Sequence, residues 1–167
     1  MNLLIIMEEI MENSLKQDFT RRLSLCNKGE MIVIMYEIVF AYLDEAKQAH
    51  QEQNHNAYKL ALRHADVSIE SLIKGLDFSY EISKNLHSLY VFCRRCVAKA
   101  IYQNKTEGIE EAEKVLRRLY SSFLEAAKSD NSRPLMGNIQ NVYAGITYGK
   151  TSLNENYDYN VQRGFLV

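Results

Sequence analysis

The chain has 167 residues, a formal net charge of −1 and 47% hydrophobic residues, which is enough length for one domain with a substantial core. Its Lys and Arg are scattered and no basic stripe alternates with aromatics, so no nucleic-acid partner is expected. Cys26, Cys93 and Cys96 are an odd set; they read as reduced thiols, and the expected compartment is cytoplasmic.

The chain opens MNLLIIMEEIMEN. No Lys or Arg precedes the short apolar run Leu3 to Met7, and Glu8 and Glu9 follow it at once, so no secretory signal is expected. Met7 and Met11 are alternative starts. Met7, Met11, Leu15, Phe19 and Leu23 predict a weakly amphipathic helix over about Ile5 to Leu23. Asn27-Lys28-Gly29-Glu30 then reads as a capping box with Asn as the cap.

Met31 to Leu43 follow, MIVIMYEIVFAYL, in which Glu37 is the one residue that is not apolar. A surface helix needs a single apolar stripe. This helix is therefore expected to touch neighbours on most of its circumference, or to keep one face for a partner. It is too short to span a bilayer, which takes about 20 apolar residues, and no membrane insertion is expected.

Helical spacing continues through Ile32, Tyr36, Val39, Leu43 and Ala46. It recurs in Tyr58, Leu62, Ala65, Ile69, Leu72 and Leu76, and again in Ile82, Leu86, Leu89, Cys93, Cys96 and Ala100. A last series is Ile109, Ala112, Leu116, Leu119, Phe123 and Ala126. Turns are expected at Gln53 to Asn56 and at Gly75 to Ser79, and Thr106 is expected to cap the last helix. Short joints make consecutive helices antiparallel neighbours. From Ser129 onward the spacing fades, and this stretch holds Pro134 and four of the seven glycines. The expected fold is all-α: an antiparallel four- to five-helix bundle over residues 1–128, of which 1–25 form an N-terminal arm or helix. Residues 129–167 form an extended, irregular C-terminal tail.

Few residues invite chemistry. Cys93-Arg94-Arg95-Cys96 is a C-x-x-C, but no second ligand pair exists for zinc and both thiols fall on an apolar helix stripe, so two buried small hydrophobes are expected. Glu52-Gln53-Asn54-His55 has the E-x-x-H spacing of di-iron bundles. It stands alone, and a solvated loop histidine is expected. Gly149-Lys150-Thr151 lacks the leading glycine of a P-loop, where Ala144 stands. No enzyme, cofactor or metal site is expected.

Two segments resemble the FliS-type flagellin export chaperone family. Asn27 to Glu37, NKGEMIVIMYE, is similar to the family's polar start, Gly-Glu and apolar stretch ending in Leu-Tyr, with Lys28 where Pro is usual and Met35 where Leu is usual. The helix runs on through Ala41 to Ala46, AYLDEA, and Ser71 to Asp77, SLIKGLD, resembles a family helix end. Asn85 to Arg95, NLHSLYVFCRR, is similar to the pattern N-L-x-x-L-Y-x-Y-x-x-R. The resemblance spans about Lys16 to Lys128. It implies a cytoplasmic chaperone that binds the C-terminal segment of flagellin, prevents premature polymerisation and assists delivery to the flagellar export apparatus, with the export gate as a further partner. A protein-binding module of the same fold for another client or a regulatory partner is the alternative. The client groove is expected along Met31, Ile34, Met35, Ile38, Tyr42, Leu86, Leu89 and Tyr90. The arm (Met7, Met11, Leu15, Phe19) or the tail (Tyr143, Tyr148, Tyr157, Tyr159, Phe165) is expected to cover that groove when the client is absent.

Overall fold

Asn27 fixes where the longest helix begins. Its side-chain oxygen accepts the Glu30 N–H at 2.8 Å, and its own N–H donates to the Glu30 carboxylate at 2.9 Å. Two of the N–H groups that a helix start leaves without partners are thereby satisfied. The computed structural model describes residues 13–136. Those residues form five helices and no strand: α1 (Asn13–Leu25), α2 (Lys28–Gln51), α3 (His55–Lys74), α4 (Ile82–Gln103) and α5 (Glu107–Lys128). The arm residues Met7 and Met11, and the tail from Gly137 on, lie outside the described residues.

Short joints fold the chain back on itself at each step. α2 packs on α3, α3 on α4 and α4 on α5, and α5 returns to α2, closing a four-helix ring. α1 lies outside the ring against α2, where Phe19 is buried and joins the core. α2 has buried side chains on most of its circumference, including Val33, Ile34, Tyr36, Ile38, Val39, Phe40, Tyr42 and Leu43. Neighbours on three sides account for the unbroken apolar run. Across the ring, Tyr36 of α2 meets Tyr90 of α4, hydroxyl to hydroxyl at 2.6 Å.

Two expectations need correction. Thr106 stands at the cap position of α5 but makes no side-chain cap bond. That end instead has Glu107 and Glu110 in its first turn, where negative charge suits the helix dipole. On α4 the buried face is rotated from the expected one: Ser83, Tyr90, Cys93, Cys96, Val97 and Ala100 point inward, while Ile82 and Leu89 are exposed. The larger Tyr90 takes the central position, which turns its neighbour Leu89 toward solvent.

Gly108 allows α5 to approach α4 closely. A Cβ there would lie 2.4 Å from the Cys96 carbonyl oxygen and 3.1 Å from the Ala100 Cβ. After α5, the chain is tied back to the start of α2. Asp130 accepts the Gly29 N–H at 3.0 Å, the Asn27 amide donates to the Asp130 carbonyl at 2.9 Å, and Leu135 donates to the Cys26 carbonyl at 3.0 Å.

Candidate functional site

Cys93 and Cys96 are buried free thiols. Burial pushes the Cys93 thiol up to about 12, so Cys93 stays protonated at neutral pH, which disfavours nucleophilic attack. Cys96 faces Glu111 at 3.6 Å, and burial followed by that carboxylate raises its thiol as well. His55 is the first residue of α3; its exposed ring meets the Asn104 side chain at 3.2 Å. Among the described residues no three His, Cys, Asp or Glu side chains are placed to hold a metal ion. Gly149 to Thr151 lie outside them.

Apolar surface is what remains. α2 and α4 begin, and α3 and α5 end, at the same end of the ring. At this end Phe78 and Tyr80, on the α3–α4 connection, are 55% and 64% exposed, and Ile82 opens α4 at 64%. Phe78 rests edge-on against His87, with ring centroids 5.8 Å apart. Leu89 (39% exposed) and Phe92 (44%) continue the apolar surface along α4 from Ile82, at spacings that keep them on one flank. This flank is the one turned toward α5, since Cys96 and Lys99 on the same side both reach Glu111.

The eight residues expected to line a groove divide between two roles. Ile34, Ile38, Tyr42 and Tyr90 are buried in the core, and Tyr42 stacks on His64 of α3 with centroids 5.2 Å apart. Met31, Met35 and Leu86 are half-buried against the core, and Leu89 is exposed. α2 and α4 sit diagonally across the ring, so the four accessible residues share an end of the bundle rather than one trench. Sequence periodicity missed Phe78, Tyr80 and Phe92 and counted Ile82 as core. The available signal was local: a connection reading Asp77-Phe78-Ser79-Tyr80 places two aromatics in a polar loop, outside the helical stripes that build the core.

Two clefts open elsewhere on the bundle. One, of about 430 Å³, lies among α1, α2 and α5, over Leu25, Val33, Ile34, Leu124 and Ala127. Its rim carries both signs of charge. There Arg22 pairs with Glu37 at 2.6 Å, and Tyr120 donates to the same carboxylate at 3.0 Å. The hydrogen bond to Glu37, stronger than the burial that opposes it, raises the Arg22 pKa and keeps it charged. The other cleft, of about 550 Å³, lies between α3 and α4.

A family model described as flagellar protein FliS matches residues 11–130. No curated protein matches the chain.

Proposed function

The chain belongs to the FliS family of flagellar chaperones, and from that premise we propose that it is the cytoplasmic export chaperone of flagellin. It binds the C-terminal segment of flagellin, prevents premature polymerisation and assists delivery to the flagellar export apparatus, with the export gate as a second contact. The observation that carries this reading is the set of exposed apolar side chains Ile82, Leu89 and Phe92 on one flank of α4, with Phe78 and Tyr80 also exposed on the connection at the same end. Left wet, such a surface costs about 25 cal/mol per Å² of apolar area that could be covered, and an amphipathic client segment covers it as a helix in a groove.

Holding the client requires no bond making. The client's apolar side chains displace water from the α4 flank and from Met31, Met35 and Leu86 at the same end. Ile34, Ile38, Tyr42 and Tyr90 are buried and belong to the packed core that carries these surfaces. A packed core limits the ordering cost of binding to the client.

The test is co-purification with the flagellin of the same organism, whole and lacking its last forty or so residues, roughly the length of two bundle helices. Whole flagellin should form a stable complex and the truncated form should not. Equal recovery of both, or of neither, would remove the proposal.

A further inference from the structure

Three arginines and one aspartate line the α3–α4 cleft, whose floor is apolar: Val67 from α3, and Val91, Ala98 and Ile101 from α4. Arg94 is committed. It forks onto Asp66 at 2.7 and 2.8 Å and also reaches Glu70 at 3.5 Å. Glu70 in turn pairs with Lys74 at 2.5 Å. The local carboxylates are thus taken. Arg63 on α3 and Arg95 on α4 are both exposed, and among the described residues neither pairs with a carboxylate. One uncompensated positive charge therefore stands on each helix beside a shared apolar floor.

We propose that this cleft is a second docking surface, independent of the flagellin-binding flank, for an amphipathic helix of a partner protein that carries Asp or Glu on both sides of its apolar stripe. The charge pattern selects this occupant. A helix laid between α3 and α4 sets its stripe on Val67, Val91, Ala98 and Ile101. Its flanking carboxylates then meet Arg63 on one side and Arg95 on the other, in the bidentate geometry that arginine favours. A basic or uncharged helix would leave both guanidinium groups without partners. The two surfaces lie on different sides of α4: Arg94 faces α3 through Asp66, whereas Cys96 and Lys99, on the side of Leu89 and Phe92, face α5 through Glu111. The chaperone can therefore hold its client and an acidic partner together.

The experiment titrates a fluorescein-labelled synthetic helix, with leucines at helical spacing and glutamates on both flanks, into the full chain. The same peptide with lysines replacing the glutamates serves as comparison. The glutamate peptide should bind, more weakly as salt rises, and the lysine peptide should not. Arg63→Glu with Arg95→Glu should weaken the glutamate peptide about tenfold or more, and Arg63→Gln with Arg95→Gln should fall between, with melting temperatures recorded to confirm folding. Both double variants should bind the flagellin segment like the parent chain. Equal binding of the two peptides, or an unaltered affinity in the glutamine variant, would overturn the proposal. A matching loss of flagellin-segment affinity would overturn its independence by placing the cleft in the client site. Flagellin binding by the parent chain reads the chaperone role separately.

Discussion

Tyr36 and Tyr90 show how one contact can hold two diagonal helices at a fixed distance. Both are buried, their rings lie 6.3 Å apart, and one hydroxyl donates to the other. Tyr36 also lies 5.7 Å from the ring of Phe123 and 6.2 Å from that of Tyr120. Tyr36→Ala should cost about 3–5 kcal/mol in denaturant unfolding, as for other buried aromatics. Tyr36→Phe should cost about 1 kcal/mol, the net worth of a typical hydrogen bond. An unchanged midpoint in the alanine variant would show that this layer does not support the bundle. Cys93 makes a prediction about pH. Its thiol is lifted from 9.0 to about 12, first by burial and then by Cys96. The folded chain therefore keeps a proton that the unfolded chain releases above about pH 9, near the ordinary thiol range, so the contribution of Cys93 to stability should be constant below that pH and be lost as pH climbs toward 12. Cys93→Ala should make the alkaline decline shallower. In the native protein both α4 thiols should react slowly with a thiol reagent, and promptly once unfolded. Tyr36 and Cys93 were legible in the sequence because they sit near the centres of periodic apolar series; Tyr90, outside its helix's series, was expected in a groove and is buried instead. Gly108 was not legible, since nothing in a lone glycine within a helical pattern reveals which backbone passes over it.

At the scale of elements, joints and close approaches set the register of the ring. Asn27→Ala removes the cap of α2 and the amide bond to the Asp130 carbonyl, and should cost about 1–2 kcal/mol, of which the cap is the larger share. Gly108→Ala should destabilise although alanine is the better helix former by roughly 0.5–1 kcal/mol. The added methyl would meet the Cys96 carbonyl oxygen at 2.4 Å, and backbone cannot yield as a side chain can. A net loss of about 1–3 kcal/mol is expected, read as a lowered melting temperature; a higher one would show that α5 can slide away from α4. Helix positions were legible because apolar spacing of 3 and 4 survives in a long helix. The rotation of α4 was not. Ile82, Leu86, Leu89 and Cys93 fit a helical stripe as well as Tyr90, Cys93, Val97 and Ala100 do, and only packing against three neighbours decides which of the two turns inward.

At the scale of the whole molecule, the closed ring among the described residues buries most of α2 and one face of each of its other helices, and leaves surplus apolar surface at one end and along the α5-facing side of α4. Part of the accessible apolar surface could be read from sequence. Leu86 and Leu89 were singled out by the motif around Tyr90, and Met31 and Met35 by the apolar run. The buried fate of Ile34, Ile38 and Tyr42 could not, because a run apolar on all sides does not say which side meets a partner. Phe92 became visible only when the ring left it outside, whereas Phe78 and Tyr80 carried a local signal in their polar connection. The central claim is that the flagellin segment covers this flank of α4. The most direct measurement is the calorimetric affinity of the flagellin C-terminal segment for the parent chain and for Leu89→Asp with Phe92→Asp. Both positions are partly solvent-exposed, so the variant should fold with a melting temperature close to the parent's. Its affinity should fall by about a hundredfold, equivalent to roughly 2.8 kcal/mol. An affinity equal to the parent's, in a variant that melts like the parent, would contradict the account.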